Sequence, residues 1–353
     1  MAPPAQSYAL SASRNFPQWL TSIGSSVAFS TYQAAQLFTV GVNSDGTLSA
    51  SATSFERCMG IAVLPDRRSF YLGTQSQSVR LDEVVGARRG ADDWNVLFGP
   101  HQTWVTGDID IHDIAVARGD VPIFVSTRYS CLATLSSGFS FKPLWMPTFV
   151  TRLAPEDRCH LNGVALDGGA ARYATLIAPS DVADGWRDRK ADAGMVWDIA
   201  AGRPLAQGLS MPHSPRLSNG RLWLLNSGSG DLGFIETTGG PFRPVAFCPG
   251  YARGLSIVGR YAVVGLSLPR ADRTFQGLAL EQSLKSRGAE PRCGLHVIDL
   301  ETSDTVAWLR LEEVNEIFDV SVLPGVRNPR LIGFGTDEIQ HTIAVDLSEW
   351  PKP

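Results

Sequence analysis

Only six histidines occur in the 353 residues, and two of them share a setting. His112 opens the run HDIAVA and His213 opens HSPRLS, while Asn162 opens NGVALD and Arg253 opens RGLSIV. Two imidazoles, an amide and a guanidinium at matching places make a set that can bind or transform a small polar molecule. Imidazole moves protons or donates an electron pair to a metal, and guanidinium grips a carboxylate. Two more runs of the same kind begin at Met59 and Phe318, MGIAVL and FDVSVL. In an extended strand, residues two apart point the same way, so His160 and Glu316 fall on the side of Asn162 and Phe318. The position after the first row holds Gly60, Asp113, Gly163, Ser214, Gly254 and Asp319. Asp113 and Asp319 there are carboxylates that support the row or reach its ligand.

Burying such polar groups unpaired costs about 1–3 kcal/mol each. They therefore meet a ligand, a metal, ordered water or one another. Structural uses compete with chemical ones: the histidines can bond carbonyls on neighbouring strands, and Arg253 can pair with Asp113 or Glu316. Ser214 stands beside His213 outside any Gly-x-Ser-x-Gly elbow, which argues against a serine nucleophile. His101, His296 and His341 do not share the repeat position.

The elements that must position these residues are short strands. Each run is followed by a turn and a second apolar segment, in order SFYLGT, PIFVST, RYATLI, RLWLLN, YAVVGL and RLIGFG, and most by a third, such as CLATLS, GMVWDI, LGFIET, CGLHVI and HTIAVD. Turn clusters NSDG, DGG and SNG punctuate them, with 34 Gly and 22 Pro in the chain. A period of about 40 to 65 residues made of successive strands is the pattern of propeller blades, in which the first strand of each blade lines a central channel. The expectation is an all-β propeller of mostly four-stranded antiparallel sheets, a single domain over residues 1–353.

The segments VAFSTY, QLFTVGV and TLSASATSF read as later strands of one further blade, so seven blades fit better than six. Residues 1–24 help closure, with YALSAS completing the last blade or supplying a missing inner strand. Helical periodicity is confined to Pro17–Ile23 and Ala279–Ser286, and the stretch 270–291 reads as a loop insert. The nine tryptophans are scattered and read as blade packing. Charged loops at 157–163 and 180–194 read as ordinary solvated loops, although as a lid the second could bring Asp181, Arg187 and Arg189 to a ligand.

With 31 basic and 35 acidic residues and no run of one sign, the chain lacks the basic stripe of a nucleic-acid binder. It has no apolar run long enough to span a membrane and no signal-peptide pattern, so the expected location is cytoplasmic. Cys58, Cys131, Cys159, Cys248 and Cys293 contain no Cys-x-x-Cys pair and read as reduced, packed thiols. No nucleotide cofactor is expected.

GDIDIHDIAV, RYSCLATL, EDRCHLNGVAL, SDVADGWRDRK, GLSMPHSPR, LWLLNSGSG, FCPGYARGLS and LPGVRNPRLIGFGTDEI together resemble a bacterial conserved-hypothetical family that carries a domain of unknown function and is taken to be a β-propeller. The resemblance runs from about Phe16 to Ile343 and implies the fold without an activity. Asn162-Gly163-Val164-Ala165-Leu166 also resembles gluconolactonase and NHL-type propellers, which implies a metal-ligand role for Asn162. Imidazole neighbours suit iron, manganese or zinc better than calcium.

The reading that joins these strands is an enzyme acting on a small polar, anionic metabolite in the channel. A divalent metal would be held by His112, His213 and either His160 or Asn162, and Arg253 would fix a carboxylate. Glu316 or His160 would move a proton in hydrolysis, elimination or isomerisation. The alternative is a non-catalytic propeller whose polar side chains plug the channel and whose surface binds a protein or small ligand.

Overall fold

A computed structural model of the chain describes residues 8–84, 93–269, 276–343 and 345. The strands form six antiparallel blades. Their inner strands are Ile61–Val63, Ile111–Val116, Leu161–Asp167, Pro212–Ser218, Tyr251–Val258 and Asp319–Pro324, taken here as blades 1 to 6. All six are the runs picked out from the sequence. Six apolar clusters fill the spaces between blades. Tyr71 of blade 1 packs with Phe124 of blade 2, for instance, and Leu295 of blade 5 with Phe29 of blade 6. Six blades with six such interfaces make a closed ring, which leaves no sheet face open to water.

The count of seven is corrected to six. Ser25–Thr31, Gln36–Val42 and Leu48–Ser54 are the outer strands of blade 6, whose inner strand comes from the other end of the chain: Val27 pairs with Val322 and Phe29 with Val320. These strands therefore need no inner strand of their own. YALSAS supplies only Leu10–Ala12, which adds to the outer edge of blade 5 beside Thr305–Leu311. RLIGFG is likewise no second strand: Pro329–Leu331 runs parallel to the outer strand of blade 1. In HTIAVD, residues 341–343 and 345 carry no strand and the rest lie outside the described residues.

Two helices follow the periodicity, α1 at Phe16–Ser22 and α2 at Ala279–Ser286, the latter in the insert, of which 270–275 lie outside the described residues. No described helix is long and apolar enough to cross a membrane. The five cysteines are buried and unpaired, and burial pushes each thiol up to about 12.

In blades 2 to 5 the site row coincides with a bulge. Between Ile111 and Ile114 the inner strand of blade 2 holds one residue more than its partner between Ser126 and Phe124. The same surplus occurs at Leu161–Gly163, His213–Arg216 and Ala252–Leu255. A bulge breaks strict alternation and re-aims side chains, so consecutive residues both serve the channel. The first residue of each pair lies toward one mouth. The second reaches the next blade: Asp113 accepts from Val164 N at 3.0 Å, Ser214 from Gly254 N at 3.1 Å and Asp319 from Ile61 N at 2.8 Å.

The alternate blades carry glycine because their neighbours approach too closely for a side chain. A Cβ on Gly163 would overlap Pro215 Cδ, and one on Gly254, whose φ is +81°, would sit 2.7 Å from Val320 N. Gly163→Ala is expected to cost about 1–3 kcal/mol by overpacking, whereas Gly138→Ala, with open space around it, should stay within about 0.5 kcal/mol. Urea-unfolding midpoints compare the two, and equal midpoints would show that blade spacing is not set at Gly163.

Candidate functional site

At one mouth the first row opens into a cavity of about 200 Å³. His112, His160, His213, Arg253 and Glu316 line it, as the register of the strands predicts, together with Phe318. Asn162, Asp113 and Asp319 are not among its lining residues. Asn162 is buried beside it, its Oδ1 accepting from the Thr175 hydroxyl at 2.6 Å. Asp113 and Asp319 lie in the waist of the channel with Arg216. That guanidinium donates to both oxygens of Asp113 at 2.9 and 3.1 Å, to the carbonyls of Pro215 and Leu255, and lies 3.7 Å from Asp319. The two carboxylates are thus structural partners of Arg216 rather than contacts of the mouth cavity. Burial, reinforced by Asp113 and opposed by Arg216, pushes the Asp319 carboxyl up to about 7.

His213 and His160 are oriented by hydrogen bonds at Nδ1. His213 Nδ1 donates to the Met211 carbonyl at 2.8 Å and lies 3.1 Å from the Ser227 hydroxyl. A carbonyl only accepts, so the proton of this ring sits on Nδ1 and Nε2 keeps its lone pair. His160 Nδ1 donates to Asp157 Oδ2 at 2.8 Å, and the same oxygen accepts from Trp186 Nε1 at 2.9 Å. His112 Nδ1 lies 3.3 Å from Asp110 Oδ1, within ion-pair reach though not aligned as a hydrogen bond. Among the described residues no group hydrogen-bonds Nε2 of any of the three rings.

Burial, with the charge of Arg253 beside it, holds His213 well below the ordinary imidazole value, and burial lowers His112 against the pull of Asp110. Burial alone would raise Asp110, but His112, His160 and Arg253 outweigh it and hold that carboxyl well below its usual range. Arg253 lies 3.6 Å over the Phe318 ring and 3.5 Å from Glu316, and Tyr32 stacks on Phe318 with ring centroids 5.7 Å apart.

Sequence reasoning missed Asp110, Asp157, Trp186, Met211, Tyr32 and Tyr251, all of which line the cavity. Four non-glycine lining residues have left-handed backbone, Asp110 (φ 58°), Asp157 (43°), His160 (48°) and Met211 (49°). Such conformations are costly and gather where surrounding structure forces a side chain into place. Period two from His112 pointed to Asp110, and the loop DRCH contained Asp157. Trp186 offered no such signal, being one aromatic in a charged loop.

That loop does cover the site, and of the three residues named for it Arg187 lines the cavity, together with Trp186, whereas Asp181 and Arg189 do not. Trp186 tilts against His160 with ring centroids 4.1 Å apart, and Arg187 lies 4.5 Å over Trp186. Asp181 instead bonds Thr151 and Arg158, and Arg189 donates to the Pro179 carbonyl. Leu280 and Leu284 of α2 pack into one cluster with Trp186, Met211 and Tyr251. The helical insert thereby backs the cavity wall. Of the other histidines, His101 is exposed beside Asp82, and burial lowers His296 to about 4 away from the cavity.

The residues proposed for a metal do not assemble as a ligand set. His112 and His160 meet edge to face with ring centroids 5.0 Å apart. Asn162 Oδ1 is committed to Thr175, and among the described residues no three His, Cys, Asp or Glu side chains are disposed to hold an ion.

The neutral burial of His213 has a pH signature. Its folded-state pKa lies below the unfolded value of 6.5, so the unfolded chain binds more protons, and stability present above about 6.5 is lost as pH falls. Asp319 acts oppositely, its contribution being full at low pH and lost as pH rises toward about 7. The histidine is isolated by the stability gap between wild type and His213→Asn. This gap should be flat above about pH 6.5 and narrow below it in denaturant titrations; a pH-independent gap would show that the ring is not buried neutral.

Solved structures share the β-propeller fold at low identity. A nidogen/laminin complex chain is 12% identical, with 86% of this chain and 99% of that one covered and a TM-score of 0.56. TolB from Acinetobacter baumannii is 12% identical over 85% of this chain and 67% of its own, with a TM-score of 0.51. A protein of unknown function from Bacteroides caccae is 10% identical over 86% and 99%, with a TM-score of 0.50. No curated protein sequence matches the chain. The family model described as Domain of unknown function (DUF4915) matches residues 14–332, and the chain belongs to that family.

Proposed function

We propose that the chain is an enzyme that acts on a small polar metabolite in the mouth cavity by acid–base chemistry. One observation carries this reading: three imidazoles whose Nδ1 is held or faced by an acceptor surround one cavity and leave their Nε2 atoms without protein partners. His160 with Asp157 is the best placed base, because a carboxylate on Nδ1 fixes the tautomer and stabilises the imidazolium that forms when Nε2 takes a proton. The imidazolium of His160 then gives that proton back to the product or leaving group, while Arg253, paired with Glu316 and lying over Phe318, orients the reacting molecule. Hydrolysis, elimination and isomerisation all use these parts. The volume lies below the roughly 300–1,000 Å³ of drug-sized sites, which favours a small substrate.

A divalent ion on His112, His160 and His213 would supply Lewis-acid chemistry instead, but the side chains would first have to converge. The engagement of Arg253 by Glu316 and Phe318 favours a second reading, a non-catalytic propeller with a polar lining.

Incubation of the protein with pooled small metabolites, followed by NMR, separates the two readings. Wild type should consume at least one component, and His160→Asn should slow this by about 10²–10⁴-fold with an unchanged thermal midpoint. Undiminished turnover in the variant would remove His160 from the mechanism, and no consumption by wild type would support the non-catalytic propeller.

A further inference from the structure

We propose that the molecule bound in the mouth cavity presents a primary ammonium group to it, a conclusion that rests on the cavity being the functional centre. The case is a census of donors and acceptors. His213 spends its ring proton on Met211 O and His160 spends its own on Asp157, so their Nε2 atoms can only accept. His213 is 3% exposed, yet among the described residues its Nε2 has no hydrogen-bond partner. Unpartnered acceptors on nearly buried side chains that line a cavity ask for a donor from the occupant.

Charge points the same way. Asp110, Asp157 and Glu316 face the cavity as carboxylates against one inward guanidinium, Arg253, which already pairs with Glu316 at 3.5 Å. Arg187 at the rim is matched by Asp184 at 2.9 Å. A carboxylate ligand would meet lone pairs and carboxylates on most sides, with Arg253 as its main cationic donor. An ammonium group brings three rotatable donors and a positive charge, which such a lining accepts. A metal ion is equally acceptor-seeking, but coordination at about 2.0–2.2 Å needs convergent ligands, and no described trio is so disposed. Hydrogen bonds of about 2.7–3.0 Å tolerate the observed spread.

Isothermal titration of the wild-type protein at pH 7.5–8, with propylamine, propionate and propane-1,2-diol as matched probes, tests this directly. Propylamine should bind at least tenfold more tightly than the other two, and Asp110→Asn should weaken it at least tenfold. Glu316→Gln serves as the second variant should Asp110→Asn fail to fold. Preference for propionate, no amine binding up to about 50 mM, or stoichiometric binding of Zn²⁺ or Mn²⁺ that is abolished by His112→Ala would overturn the proposal. The titrations need no turnover. If the amine binds and no metabolite is consumed, the catalytic reading fails and this one stands; if a carboxylate is bound and consumed, the reverse holds.

Discussion

The carboxylate of Asp113 is asked to do three things at once: cap Ile114 N on its own strand, accept Val164 N from the next blade and receive the fork of Arg216 from the blade after that. Asp319 repeats the first two across the closure, capping Val320 N and accepting Ile61 N. These contacts tie together inner strands far apart in sequence, at the one level where bulges have interrupted the pairing within blades 2 to 5. Buried charge is expensive unless every partner is in place. Arg216 has one for each nitrogen, and its pKa is raised because the two carboxylates outweigh burial. The height and spacing of the mouth row follow from this clamp, since the first-row residue of each bulge precedes the clamping residue or the glycine that makes room for it.

The clamp also explains the alternation of the second row. Blades 2, 4 and 6 place Asp113, Ser214 and Asp319 against the next strand's N–H, while blades 1, 3 and 5 carry Gly60, Gly163 and Gly254 under the crowding of that next strand. The ring thus has a threefold character beneath its six blades. What distinguishes the mouth is the addition on one side of two insertions: the loop with Trp186, and α2, whose Leu280 and Leu284 lie behind it. Trp186 connects the two layers, since one oxygen of Asp157 takes both its indole N–H and the ring N–H of His160.

Much of this was legible in the residues. The inner strands announced themselves by repetition, and with them the equivalence of His112, Asn162, His213 and Arg253, because strand period and turn chemistry are local. Closure was not local. That Val27 meets Val322 is a matter of which end of the ring the chain starts from, and no pattern near Ser25 or Asp319 reveals it; the surplus strands therefore counted as a seventh blade. The bulges were also invisible, since period-two reading has no place for an extra residue. It put Asp113 beside the ligand when one residue more of backbone turns it to the waist. Trp186 was illegible for another reason: a loop's side chain is directed by what it lands on, here His160 and α2.

A ring of polar side chains fits a structural plug and a binding site equally well when it is known only as a ring. The two levels of this channel separate those meanings. At the waist Arg216, Asp113 and Asp319 satisfy one another and the adjoining backbone. At the mouth, a few ångströms of strand away, His160 and His213 have their protons committed on one side and their lone pairs uncommitted on the other, and His160 is held at a left-handed backbone position. A plug has no use for oriented acceptors that point into a cavity without a protein partner, because a packed polar core satisfies its own groups. Their retention beside a cavity is the mark of groups kept for something that comes and goes.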